Sequence, residues 1–391
     1  MKYIKQIPYL LQFLWSAGFN LVSKILPSYF ATVASASQIS VIYSIYASSK
    51  FLAMPCGWIS DKMGKIKTLF LAFFILPLAT ISFTFSKSIF FFALMFFVIG
   101  TLGNFYYSSI NALITIFFKR KTESLFKLKS MYQLGATFGP IVGGFLTLRY
   151  GIETAFYTWT GLGILGLILS SFLLKKENIT KQKIKKPSLK QLFSQLGAKK
   201  VDFIIFLIVG CFLTGLFESM IVLSIPLYAS KIGFDISKIG IIIGIASLVS
   251  VFGLFFLGKK LEIMKKNYSL IITTILIGIS IAFMIFTHNI IAIIFLLGVF
   301  TIGRAGGLNI ARSFISENLD ENIRATGMSI SDTVQSIAKI IGPITAGLLI
   351  DFINIEASFI FISIVATIGI ILLITYEKNT LHKLDKMEKI L

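Results

Sequence analysis

The chain has 391 residues, of which 56% are hydrophobic and only 14% charged, with a mean hydropathy of +0.87 and a formal net charge of +20. Soluble proteins carry about a quarter charged residues, whereas here apolar runs of roughly 18 or more residues, long enough to span a bilayer, follow one another from end to end. A soluble enzyme, a secreted scaffold and a disordered chain are excluded, and an all-α, polytopic membrane protein is expected.

Twelve transmembrane helices are expected, near residues 8–30, 38–60, 66–86, 89–118, 124–148, 152–174, 202–229, 239–258, 268–287, 289–311, 325–350 and 355–376. The first follows Met1-Lys2-Tyr3-Ile4-Lys5 and superficially looks like a secretory leader. Its apolar run exceeds the about 7–15 residues of such a leader, and Lys24 and Pro27 interrupt it, so a retained span is expected. Span 2 runs into Gly57-Trp-Ile-Ser-Asp61-Lys62-Met-Gly64-Lys65-Ile-Lys67. There Gly57 permits a tight turn and close helix approach, and Asp61 is short enough to meet a helix N-terminus. Span 4 reads Phe96-Phe-Val-Ile-Gly100-Thr101-Leu-Gly103, without charge. Span 5 carries Gly135-x-x-x-Gly139-Pro140-x-x-Gly143-Gly144. Glycines so spaced allow close helix packing, and Pro140 removes a backbone hydrogen bond and bends the helix.

Between spans 6 and 7, residues 175–200 hold nine lysines. Ser188 with Gln191 resembles a capping box, and Leu189, Leu192, Phe193 and Leu196 share a face, which predicts a short interfacial helix. With alternating loops, most basic residues fall on one side: Lys2, Lys5, Lys62, Lys65, Lys67, Lys119, Arg120, Lys121, Lys127 and Lys129, then the central lysines, Lys259, Lys260, Lys265, Lys266, Arg312, Arg324, Lys378, Lys383, Lys386 and Lys389. The other side has Lys87, Arg149, Lys231 and Lys238. Positive loops stay in the cytoplasm, so both termini are expected inside a cell membrane. The positive charge then faces membrane lipids, and nucleic acid is not an expected partner. Two cysteines (Cys56, Cys211) and two histidines (His288, His382) offer no disulfide framework or metal site, and no P-loop occurs; no metal or cofactor is expected.

The central segment divides the chain into residues 1–176, a linker at 177–200, and residues 201–391. Landmarks recur between the halves: Leu26-Pro27-Ser28-Tyr29 with Ile225-Pro226-Leu227-Tyr228, Gly57 with Gly258, Gly100 and Gly103 with Gly303 and Gly306, and Gly139-Pro140 with Gly342-Pro343. Two parallel six-helix bundles place a substrate site at their interface near mid-membrane, the architecture of a secondary transporter. Six ionisable residues fall inside spans: Lys24, Lys50, Glu218, Arg304, Asp332 and Lys339. Each costs about 2.5–3.5 kcal/mol at a helix centre, which points to a substrate or ion pathway.

The Gly57–Lys67 segment resembles the signature loop of the major facilitator superfamily, in which Asp61, Gly64, Lys65 and Lys67 would be conformational residues. Its second-half counterpart, Gly258-Lys-Lys-Leu-Glu262-Ile-Met-Lys265-Lys266, is a decayed copy. The span-5 motif, Gly135, Gly139, Pro140, Gly143 and Gly144, resembles that of the drug:proton antiporter branch, with a partial copy at Ala338-x-x-x-Gly342-Pro343-x-x-Ala346-Gly347. The branch's span-4 arginine is missing; the nearest equivalent is Arg304 beside Gly303. In the resembled fold, spans 1 and 7, and spans 2 and 11, face one another. Depth along the helices then implies Lys24–Glu218 and Lys50–Asp332 pairs, with Arg304 and Lys339 left without an acidic partner. The implied activity is proton-coupled efflux of a small organic molecule by a monomer driven by a proton or other ion gradient. The alternatives are an organic-anion transporter and, from another class, a membrane receptor or enzyme on a transporter fold.

Overall fold

The computed structural model describes residues 6–31, 33–118, 121–174 and 194–388, and among these every regular element is helical. Lys2, Lys5, Lys119, Arg120, Lys389 and the 175–193 segment with Ser188, Leu189, Gln191, Leu192 and Phe193 lie outside the described residues, as do the side chains of Lys121, Lys259, Glu262, Arg324, Lys383 and Lys386. The helices are α1 (Ile7–Ser23), α2 (Leu26–Phe30), α3 (Ala36–Ser48), α4 (Ala53–Met63), α5 (Lys65–Ile81), α6 (Ile89–Phe117), α7 (Lys121–Tyr150) and α8 (Ile152–Leu174). After the central segment come α9 (Lys200–Ile205), α10 (Thr214–Lys231), α11 (Ile236–Ile263), α12 (Lys266–Met284), α13 (Ile290–Asn318), α14 (Glu321–Phe352) and α15 (Ile355–Glu388).

Among the described residues, nine helical stretches are long and apolar enough to cross a membrane. Those nine correspond to expected spans 3, 4 and 6 to 12. Spans 1, 2 and 5 differ for local reasons. Lys24 and Ile25 form a turn between α1 and α2, just before Pro27. A 3-10 stretch, Ser49–Leu52, separates α3 from α4. The start of α7 is polar, with Lys127, Lys129, Ser130 and Gln133.

The chain packs as two compact units. One comprises Met1–Lys185, Val222–Ser247 and Pro343–Phe352; the other Lys186–Ile221, Leu248–Gly342 and Ile353–Leu391. In the first, α7 lies along α1 because its glycines clear the way. A Cβ at Gly135 would stand 2.7 Å from Ala17 N, at Gly139 2.6 Å from Ala17 O, and at Gly143 2.0 Å from Leu21 O. Gly144 points elsewhere, towards α11, where its Cβ would lie 2.7 Å from Ile236 O. From the opposite side, a Cβ at Gly240 would lie 2.2 Å from Pro140 O. The span-5 motif therefore forms two seams, one with α1 and one with the start of α11.

An aromatic core fills the same unit. Trp15 stacks on Tyr106 at 4.3 Å and 3°, and meets Phe73 edge-on at 5.7 Å. Tyr106 donates its hydroxyl hydrogen to Gln12 Oε1 at 2.9 Å, which satisfies the one polar end that burial would otherwise strand. Phe83, Phe92, Phe156 and Trp159 continue the cluster.

The second unit packs α12 against α13 and α15. A Cβ at Gly303 would lie 2.6 Å from Thr273 O, so α13 and α12 touch backbone to backbone. Phe206 stacks on Phe314 at 4.3 Å, within a core that includes Phe203, Leu270, Ala311, Ile315 and Leu373. Between α9 and α10 the backbone is π-helical over Phe206–Leu213. Such widened turns are rare and frequent near functional sites; this one ends shortly before Glu218.

Candidate functional site

Three of the six charged residues expected in the spans meet in the second unit. Glu218 of α10 places Oε2 3.1 Å from Arg304 Nη1 of α13 and 2.9 Å from Lys339 Nζ of α14. The side chains are 27%, 22% and 34% exposed, and Oε2 itself is buried. One carboxylate oxygen thus holds two cations in a partly dehydrated place, where such contacts are stronger than at an open surface.

Small residues make the meeting possible. A Cβ at Gly215 would stand 2.8 Å from Gln335 Cγ and 3.3 Å from Ala338 Cβ. One at Gly342 would be 2.1 Å from Ser219 Oγ and 2.7 Å from Leu216 O. These two glycines bring α10 and α14 close on either side of Glu218 and Lys339. On α13, Gly303, Gly306 and Gly307 face α12 and the neighbouring Thr214. Arg304, about 100° around the helix from Gly303, is turned towards Glu218 instead.

Arg304 and Lys339 therefore do have an acidic partner, contrary to the sequence expectation. Depth along a helix fixes height but not the direction in which a side chain faces. Asp332 is likewise engaged inside its own unit: Oδ1 accepts from Arg312 Nη2 at 2.5 Å, with the two side chains 62% and 32% exposed. Arg312 follows Arg304 by eight residues and Asp332 precedes Lys339 by seven, so α13 and α14 are joined by two ionic rungs about 10–12 Å apart. In sequence Arg312 reads only as a topology charge; its spacing from Arg304, near two helical turns, is the signal that it shares a face.

In the first unit, Lys50 Nζ donates to Asn104 Oδ1 at 3.1 Å and lies 5.4 Å from the centre of the Tyr107 ring. Asn104 Nδ2 in turn donates to Ser49 O at 2.7 Å. Asn104, on the chargeless span 4, is a partner that the sequence reading misses. Lys24 sits half-buried in the turn between α1 and α2. The expected Lys24–Glu218 and Lys50–Asp332 pairs each join residues of different units.

The signature loop closes on itself. Gly64 has φ +95°, a conformation that disfavours side chains, and it joins α4 to α5. Across it, Lys65 Nζ lies 2.5 Å from Asp61 Oδ1. Lys62 Nζ stands 3.6 Å from the centre of the Trp58 ring, and Lys67 is exposed. Gly57 departs from expectation: it lies inside α4, and a Cβ there would meet nothing within 4 Å. The turn is made by Gly64 rather than Gly57.

The Major Facilitator Superfamily model matches residues 9–338 and 263–389. An uncharacterized MFS-type transporter of Methanocaldococcus jannaschii is 23% identical, with 92% of this chain and 95% of that protein covered. The multidrug resistance protein MdtG of Serratia proteamaculans is 24% identical over 85% of this chain and 83% of its own. Among solved structures, a point mutant of the nucleoside transporter NupG superposes with a TM-score of 0.75 at 14% identity, covering 95% of this chain and 99% of that one. A bacterial homologue of the human lysosomal transporter Spinster, inward-facing and unoccupied, gives 0.69 at 13% identity over 95% and 96%. The chain is thus a multi-pass membrane transporter rather than an enzyme, and it belongs to the major facilitator superfamily, with its span-5 glycines and its multidrug relatives resembling the drug-antiporter branch.

Proposed function

We propose that this protein is a secondary active transporter that works by alternating access and exports a small organic solute in exchange for protons. The proposed frame is twelve spans in two repeated halves, residues 1–176 and 201–391, joined by a cytoplasmic basic linker at 177–200 against membrane lipid. Both termini face the cytoplasm of a cell membrane, and the working unit is a monomer. The observation that carries the reading is the Glu218–Arg304–Lys339 cluster. With Glu218 ionised the three groups sum to one positive charge; protonation of Glu218 releases both cations for another anion. A plain anion would bind there together with the proton. A zwitterionic solute whose cationic end pairs with ionised Glu218 and whose anionic end meets Arg304 and Lys339 instead competes with the proton, and competition is what exchange needs. Lys24, Lys50 and Asp332 complete the proposed pathway. The glycine seams of span 5 and the loop of Gly57, Asp61, Gly64, Lys65 and Lys67 serve gating.

The excess of cations over acids in the cluster favours substrates with a carboxylate, phosphonate or zwitterionic end over hydrophobic cations. Organic-anion exchange is the second reading that this same excess supports. The test is transport by purified protein in liposomes, with and without a pH gradient, against panels of amphiphilic cations and organic anions. Movement of anionic or zwitterionic solutes opposite to the proton flow supports the reading; movement in the same direction as the protons, uptake of cations alone, or transport indifferent to the gradient, refutes it.

A further inference from the structure

At the end of the first unit opposite the Asp61 loop, α3 begins with an N-terminus that its own residues only partly satisfy. The first amides of a helix lack intrahelical acceptors. Ser35 Oγ accepts from Gln38 N at 3.3 Å, and Gln38 Oε1 accepts from Ser35 N at 3.1 Å, a complete capping box. The amides of Ala36 and Ser37 remain. Both donate to one carboxylate far along the chain: Ala36 N to Asp351 Oδ1 and Ser37 N to Asp351 Oδ2, each at 2.9 Å. Asp351 stands at the end of α14, one turn beyond Gly347. A Cβ at Gly347 would be 2.8 Å from Ser37 Cα and 2.9 Å from Ala36 O, so Gly347 sets the close approach that Asp351 uses. Further contacts at this end also join residues of the first repeat to residues of the second. Ser28 Oγ donates to Pro226 O at 3.1 Å, and Gly240 and Gly144 face each other's helices.

We infer that Asp351 is an electrostatic clasp that holds the outer gate closed by capping the N-terminus of α3 with a carboxylate from the opposite repeat. An anion on the first turn of a helix is favoured by both the free amides and the helix dipole. The clasp differs from ordinary seam packing because its energy is lost in one step. When α14 leaves α3, two amides and a carboxylate must all be rehydrated, while the Ser35–Gln38 box stays intact on α3. The inference rests on the alternating-access reading, in which this end must open for substrate to leave.

The test uses the full-length protein with Cys56 and Cys211, both buried, replaced by serine. Spin labels are placed at Phe85 and Phe286, each 80% exposed and each in a proposed outer loop of its own repeat. Pulsed-dipolar distances are measured at pH 5.5 and at pH 7.5, as a mimic of the two sides of a pH gradient. Asp351→Ala is expected to raise the ratio of long to short distances by roughly tenfold, on the scale of helix-end charge contacts. Asp351→Asn, which keeps the shape and one acceptor but not the charge, is expected to give a smaller rise and guards against a misfolded alanine variant. Gln38→Ala, which removes the acceptor of Ser35 N within α3 but crosses no seam, should leave the distances unchanged. A parent protein that redistributes with pH while both Asp351 variants match it overturns the clasp alone. A parent that shows one distance under all conditions overturns the alternating-access reading, and the clasp falls with it.

Discussion

Replacing Glu218 by Gln removes the anion that Arg304 and Lys339 share while keeping its size. Because both cations contact the same oxygen, at 3.1 and 2.9 Å, their charged nitrogens stand no more than about 6 Å apart. Two unit charges at that separation repel by about 3 kcal/mol at an effective dielectric of 20 and about 0.7 kcal/mol in bulk water. With side chains a quarter to a third exposed, the repulsion left in the variant falls between these limits, at about 1–2 kcal/mol. An incoming carboxylate relieves it, so Glu218→Gln should bind a simple aromatic carboxylate such as benzoate about 5- to 30-fold more tightly than the parent, the equivalent of that energy. The same variant should lose pH-gradient-driven accumulation and retain exchange of labelled for unlabelled solute. Calorimetric titration in detergent measures the first effect, and counterflow in liposomes separates the other two. Benzoate binding no tighter than in the parent would show that the cations are not what Glu218 masks. Full gradient-driven transport by the variant would remove Glu218 from the coupling.

The remaining predictions test the packing around the site. Gly143→Ala places a methyl 2.0 Å from Leu21 O and should destabilise by at least the roughly 1–3 kcal/mol typical of overpacking, seen as a lower thermal midpoint; an unchanged midpoint would mean that α1 and α7 can part freely. Gly57→Ala, in open space within α4, should be neutral or gain about 0.5–1 kcal/mol from helix propensity, and a marked loss in the same melt would point to a contact not seen at this position. Arg312→Gln leaves Asp332, 62% exposed, to water, so its stability cost should stay within about 1 kcal/mol; a much larger fall would place Asp332 in a drier setting than the structure gives it.

What can be read beforehand divides along a physical line. Among the described residues nine spans announce themselves because length and hydropathy suffice to mark a helix that must satisfy its own backbone in lipid. The span-5 glycines also carry their meaning in sequence, since at Gly135, Gly139 and Gly143 nothing but hydrogen fits beside α1. The partners of the buried charges are less accessible. In a membrane helix both the lipid-facing and the protein-facing sides are apolar, so no amphipathic stripe tells which way Glu218 turns. Its neighbours are selected by Gly215 and Gly342, residues whose role emerges only when α10 and α14 are side by side. Asp351 is inconspicuous for a different reason: it ends a span, and acidic residues weigh little in topology. Gly57 draws more attention than its surroundings justify, because a glycine before a polar loop looks like a hinge whether or not a neighbour is near.

The discontinuous make-up of the first unit bears on how the chain is made. Ala36 and Asp351 are separated by 315 positions, so at about 5–20 residues per second of synthesis the amides of α3 wait on the order of 15–60 s for their acceptor. Through that interval the Gly144 face of α7 is also bare until Ile236–Gly240 is inserted. The early spans can enter the bilayer in sequence, but their unit is complete only when Pro343–Phe352 arrives. A nascent chain stalled or truncated before residue 343 would expose a defect at its oldest end, where the quality-control proteases of the membrane would meet it first.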